Sequence, residues 1–293
     1  MITRFLSVIP SLPDVKKEVL QLAESVLIAS GKGGVGKSTI AANLGAALAG
    51  YGYRVVVIDA DIGLRSQDTL LNLDSSVVYD LIDVLNRDCD LEQALLDYPA
   101  VPGLTLLPAS QFARARSLDC SKFRKILNAL KCSHDFILID APAGIEKGLR
   151  NLLNAVPDRI VLITTADDLC IRDAERTAQI ISGKQLPLPQ LIVNRLDNEL
   201  IRRKEMMSAG MVASAVDLPL LGEIPEDPAV YRSILRKALF IGYDCPARMA
   251  VLRIAKRLTG ESVPFPGIGQ NRISLLHRLF PVKLKEVTPL ERH

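Results

Sequence analysis

The sequence predicts an α/β fold in which one mostly parallel central sheet is flanked by helices, and three observations carry that expectation. Short, continuous, branched apolar runs recur at residues 26–29, 55–58, 104–107, 136–139, 160–163 and 191–193. Runs of this kind bury both faces, as strands of a parallel sheet covered on both sides must. Stretches with apolar residues at helical spacing lie between them, the alternation that builds strand–helix–strand units. The third observation is a glycine-rich loop set between the first run and the first helical stretch. Seven or eight strands, most joined by helices, indicate one domain, and 293 residues suffice to fill one large core.

The elements follow in chain order. Residues 1–25 precede the first strand. Val15, Val19, Leu20 and Leu22 are spaced for a short helix over 15–23, while Pro10 and Pro13 break an apolar start too short for an ordinary signal peptide. After the strand at 26–29 and the glycine loop, residues 40–48 read as a helix, and Tyr51, Gly52 and Tyr53 turn the chain into a strand that ends at Asp59. A helix is expected over 80–85, then a segment at 91–96 and a strand at 104–107 running into Pro108, Ala109, Ser110 and Gln111. Phe123, Ile126, Leu127 and Leu130 share one face of a helix whose Lys122, Arg124 and Lys125 stay in water. Strands at 136–140 and 159–164, a helix at 171–181, and strands at 190–194 and 218–225 complete the alternation, with Asp140, Asn194 and Pro225 at strand ends. The expected division is an extension at 1–25, the main domain at 26–260, and a linker and tail at 261–293.

The glycine loop carries the chemistry. Gly31, Lys32, Gly33, Gly34, Val35, Gly36, Lys37, Ser38 and Thr39 form a P-loop in the context such a loop requires, a strand before it and a helix after it. Its glycines turn successive backbone N–H groups toward one anion, Lys37 reaches the β- and γ-phosphates, and the Ser38 hydroxyl is placed to ligate Mg²⁺. Asp59 and Asp61 leave the second strand near the phosphates. Asp140, at the end of another buried strand, receives the water shell of Mg²⁺ or orients a loop that senses the γ-phosphate, or it caps the following helix. Asn194 offers an amide to an adenine edge, or simply makes a strand-to-loop turn, and the loop of Pro225, Glu226 and Asp227 can close over a base. The guanine-selecting Asn-Lys-x-Asp pattern is absent; the chain reads Asn194, Arg195, Leu196, Asp197.

Composition narrows the class. Lys and Arg total 36 against 33 for Asp and Glu, a formal charge of +3, which argues against a surface built to coat nucleic acid. Five scattered cysteines make neither a metal cluster nor a disulfide scaffold and fit a reducing, cytoplasmic setting. No apolar run is long enough to span a bilayer, so any membrane association is expected to be peripheral.

Lys32 is where no ordinary P-loop demands a base, and there the chain resembles the deviant Walker A (ParA/MinD) ATPases. The stretch Ile58, Asp59, Ala60, Asp61, Ile62, Gly63, Leu64, Arg65, together with Pro108 to Gln111, Asp140 to Glu146, Arg172-Asp173 and Ile224 to Asp227, narrows the resemblance to the MinD group over residues 26–260. The resemblance implies a magnesium-dependent ATPase that hydrolyses ATP to ADP and phosphate and helps to position the division septum. In it Lys32 contacts phosphate across an ATP-bound homodimer and, with Lys37, stabilises phosphoryl charge. Ser38, Asp59 and Asp140 serve Mg²⁺, Asp61 positions the attacking water, and Asn194 with Pro225, Glu226 and Asp227 holds adenine. Implied partners are a MinC-like division inhibitor, a MinE-like activator and an anionic membrane surface on the inner face of the cell membrane, with a plastid version left open. The membrane contact falls on residues 272–280, where Ile273, Leu276 and Phe280 share a face in a locally basic tail. A MinD-like regulator of flagellar number or placement is the alternative, and a ParA-like DNA-partition ATPase is disfavoured by the balanced charge. The chain departs from the group's pattern at Ser66, at Asp167-Asp168 and over 232–239.

Overall fold

The apolar runs become the strands of one eight-stranded sheet: β1 (Glu24–Ala29), β2 (Val55–Asp59), β3 (Leu96–Asp97), β4 (Leu104–Leu107), β5 (Phe136–Asp140), β6 (Arg159–Thr165), β7 (Gln190–Leu196) and β8 (Leu220–Pro225). Their order across the sheet is β3-β4-β2-β5-β1-β6-β7-β8. Every neighbouring pair is parallel except the short edge pair β3 and β4. The computed structural model describes residues 23–63, 66–111, 118–145 and 147–265. Apart from Ala23, the helix expected over 15–23 lies outside the described residues, as do Leu64, Arg65, Glu146 and the amphipathic segment 272–280.

Alternation within the runs sends successive side chains to opposite faces. Val26, Ile28, Val55, Val57, Phe136 and Leu138 join one core, while Leu27, Ala29, Val56, Ile58, Ile137 and Ile139 join the other. The first core is covered by α1 (Lys37–Gly50) and α11 (Pro246–Leu258), and α10 (Pro228–Leu235) contributes Ala229 to it. The second is covered by α3 (Leu81–Asn86), α5 (Cys120–Leu130), α6 (Lys147–Asn154), α7 (Asp168–Ser182) and α9 (Ala209–Val216). Helix α1 is buried from Ile40 to Ala49 and has no wet face, because it is sandwiched between the sheet and α11. In α5 the four apolar residues picked out by spacing are the buried ones.

Several boundaries differ from the sequence reading. The 91–96 segment divides into a single helical turn, α4 (Leu91–Ala94), and the antiparallel edge strand β3. Helix α7 starts three residues before 171 because Asp167 caps it, its side chain accepting from the Cys170 N–H at 3.0 Å. Strand β7 runs past Asn194 to Leu196, and β8 begins at Leu220. All five cysteines are unpaired. Among the described residues no helix is long and apolar enough to cross a membrane.

Candidate functional site

The P-loop leaves the central strand β1, and two of its glycines are required by what surrounds them. Gly36 stands at φ 96° just before α1, a left-handed conformation that L side chains rarely adopt. Gly31 lies against α7, where an added Cβ would sit 2.4 Å from the backbone carbonyl of Asp173. That contact gives the Arg172-Asp173 pair its place beside the phosphate loop. Lys32 is exposed at the same corner, and its charge reaches Asp167. Burial raises the Asp167 carboxyl, yet hydrogen bonds from Thr165 Oγ1 and the Cys170 N–H, together with Lys32, outweigh it and hold it down at about 2.

Strand register brings the carboxylates together. Asp59 on β2 and Asp140 on β5 are direct partners across neighbouring parallel strands, so their backbones stand about 4.8 Å apart. Both are fully buried. Lys37, also buried, donates from Nζ to Asp140 Oδ1 at 2.6 Å. The Asp59 carboxylate accepts from the Asp61 N–H at 3.0 Å and from the Gln67 N–H at 2.9 Å. Burial first, and then the neighbouring Asp140 charge, push the Asp59 carboxyl far above the usual carboxylate range despite those two hydrogen bonds. Asp61 is half-buried, and burial raises its carboxyl as well, while the Lys37 charge pulls it back.

The first switch is tied down at both ends of its described part. Gly63 donates its N–H to Ser110 O at 2.9 Å, which explains why the Pro108 to Gln111 stretch accompanies the Asp59 to Arg65 stretch. Ser66 Oγ donates to Ser38 Oγ at 3.2 Å. One site residue escaped the sequence reading altogether. Gln67, at the start of α2 (Gln67–Leu70), donates from Nε2 to Asp140 Oδ2 at 2.7 Å and to Ser38 O at 3.0 Å. A polar residue at a helix start reads as solvent-facing, so no pattern in the chain marked it.

The structure gives two of the expected base contacts other bonds. The Asn194 amide is buried and spends one Nδ2 hydrogen on Val35 O at 2.8 Å, which ties it to the P-loop. Asp227 is buried between two helix starts, accepting from the N–H of Ala229 at 2.9 Å and of Ala247 at 3.1 Å. It therefore caps α10 and α11 instead of facing a ligand. Pro225 is buried at the end of β8, and Glu226 is exposed, its N–H bonded to Leu196 O at 3.0 Å.

The donors fit a magnesium ion. Ser38 Oγ and the two carboxylates are hard oxygens at one corner, and the buried Gln67 Oε1 has no hydrogen-bond partner among the described residues. No group of three His, Cys, Asp or Glu forms a cage among the described residues. Mg²⁺ needs none, since it takes one or two carboxylates and completes its octahedron with water and phosphate.

Comparison with known proteins agrees with this geometry. The family model described as the CobQ/CobB/MinD/ParA nucleotide binding domain matches residues 26–240. The septum site-determining protein MinD of Helicobacter pylori is 40% identical over 252 residues, 83% of this chain and 93% of that protein. The MinC:MinD cell division protein complex of Aquifex aeolicus contains a chain similar in structure, with a TM-score of 0.78 and 36% identity over 84% of this chain and 99% of that one. The Pyrococcus horikoshii MinD complexed with Mg-ADP gives 0.71 and 28% identity, over 80% of this chain and 96% of that one.

Proposed function

We propose that this chain, which belongs to the MinD group of the CobQ/CobB/MinD/ParA nucleotide-binding family, is an ATP-driven dimerisation switch that hydrolyses ATP and carries a division inhibitor to the membrane. The observation that carries the reading is the corner where the P-loop, Lys37, Asp59 and Asp140 meet at the ends of β1, β2 and β5. Support for the partner comes from the Aquifex relative, which is found with MinC, and support for the nucleotide from the Pyrococcus relative, which holds Mg-ADP.

The residues divide the work. Lys37 is paired with Asp140, and arriving phosphates compete for its ammonium. Mg²⁺, when bound, spreads the negative charge of the β- and γ-phosphates. Ser38, Asp59 and Asp140 hold it, and the backbone N–H groups of residues 33–38 cradle the phosphate oxygens. Asp61, its carboxyl raised by burial, orients the attacking water and accepts from it as a water O–P bond forms and the bond from the γ-phosphorus to the ADP oxygen breaks. Lys32 is exposed and so is free to reach the nucleotide of a facing subunit, which makes dimerisation depend on ATP. Pairing two subunits doubles the number of 272–280 segments presented to a lipid surface, so a segment that binds weakly alone binds firmly in the dimer.

The test is cosedimentation with anionic liposomes in ATP and in ADP, for the full chain and for a chain ending at Gln270. The reading expects ATP-dependent sedimentation that the truncation abolishes and that Lys32→Ala abolishes with dimerisation. Lipid binding indifferent to nucleotide refutes the switch, and salt-sensitive DNA binding in its place moves the chain to the partition class.

A further inference from the structure

Gln67 is built into the phosphate corner more firmly than a surface residue of a short helix need be. Its side chain is fully buried. Asp140 Oδ2 and Ser38 O are both acceptors, so the amide can face them only with its nitrogen, and these two contacts use both Nε2 hydrogens. The backbone N–H of the same residue is spent on Asp59 Oδ2. One residue thus touches both buried carboxylates and the P-loop helix.

That arrangement leaves Oε1 as a buried acceptor with no partner among the described residues. An acceptor so left costs roughly 1–3 kcal/mol unless a water or an ion's hydration shell supplies the missing donor. A phosphate oxygen cannot be that donor, since it is itself an acceptor. A water can, and a water polarised by a metal ion donates more strongly than one in bulk.

We propose that Gln67 is a positioning residue for the metal: its Oε1 accepts a hydrogen bond from a water in the Mg²⁺ shell, while its Nε2 holds Asp140 and the Ser38 carbonyl in place. The proposal rests on the reading of the corner as a Mg²⁺–nucleotide site. Because Gln67 also opens α2 directly after the first switch, the same contact couples the arrival of the metal to the position of that switch.

The experiment measures binding of a fluorescent ATP analogue to the full chain, first in EDTA and then with Mg²⁺ titrated in, with melting temperatures as a check on folding. Gln67→Met keeps the volume and removes both polar functions. It is expected to raise the half-saturating Mg²⁺ concentration about 10–100-fold, the usual penalty for losing a contact one shell out from a metal, with binding in EDTA unchanged within about threefold. Gln67→Glu keeps an acceptor where Oε1 stands and loses the donor. Its second carboxylate oxygen faces Asp140 Oδ2 and the Ser38 carbonyl, so this variant is expected to melt below Gln67→Met, yet to need less Mg²⁺ for half-saturation than Gln67→Met because the acceptor at Oε1 is kept; a half-saturation at or above the Gln67→Met value overturns the role given to Oε1. A Gln67→Met chain whose Mg²⁺ half-saturation matches the native value overturns the proposal alone. A native chain whose nucleotide binding is indifferent to Mg²⁺ overturns both the proposal and the reading beneath it.

Discussion

Replacing Gly36 by Ala tests how the P-loop is anchored to the far half of the sheet. The new Cβ has two separable costs. At φ 96° an L residue pays about 1–2 kcal/mol of backbone strain. The methyl also stands 2.5 Å from Asn194 Nδ2, well inside contact distance, so the amide must swing away and give up its 2.8 Å hydrogen bond to Val35 O. That loss adds about 1 kcal/mol, for a total of about 2–3 kcal/mol. Asn194→Ala alone loses the same hydrogen bond. In the double variant the bond is lost once, so the pair should cost about 1 kcal/mol less than the sum of the single changes. The assay is urea unfolding of the three variants and the native chain in EDTA, read as a double-mutant cycle. Additivity within about 0.4 kcal/mol would mean that the methyl and the amide do not compete, and the assignment of Asn194 as a P-loop anchor would fall.

Four further outcomes are expected. Lys37→Met should abolish nucleotide binding and, in EDTA, lower stability by about 3–5 kcal/mol by leaving buried carboxylates without their cation. Independently of that change, the native chain in EDTA should lose stability between pH 6 and pH 8: the Asp59 carboxyl lies above its ordinary value in the fold, so the folded state holds a proton the unfolded state has released, and raising the pH through that window removes it. Urea midpoints at the two pH values decide this. Asp61→Asn should slow single-turnover phosphate release by about 10²–10⁴-fold while nucleotide affinity stays within a few-fold, and a native rate would remove Asp61 from the water-positioning role. Asp167→Ala should cost about 1 kcal/mol as a lost helix cap. Because the native carboxyl is held at about 2 against an ordinary 3.8, that contribution is nearly complete above about pH 4 and is lost as the pH falls through about 2, so the gap between variant and native urea midpoints should narrow between pH 4 and pH 2.5.

The order of elements was legible because each core strand is apolar on both faces, and no other placement hides residues 55–58 or 136–139 from water. The P-loop was legible because phosphate binding constrains a contiguous stretch, so Gly31 to Thr39 show the whole motif to a reader of the sequence. The edge strand β3 was not, since two residues paired to Leu106 and Thr105 leave no periodic trace in the chain. Asp227 and Asn194 read as ligand contacts because strand ends in parallel sheets usually face ligands. The Asp227 carboxylate accepts from two helix starts, and the Asn194 amide spends one N–H on the Val35 carbonyl, a partner far away in the chain that no local pattern marks.

The sequence by itself determined the seven parallel strands, the helices α1, α3, α5 and α7 and the phosphate loop, because periodicity and a contiguous motif are properties of neighbours in the chain. Only the tertiary structure decided which acid stands beside which, since those contacts join residues far apart: Lys37 meets Asp140 across 103 positions, Gln67 meets Asp140 across 73, and Asn194 meets Val35 across 159. Strand order sets those distances. It is fixed by how two apolar faces are covered at once, a condition on the whole chain that no local stretch records.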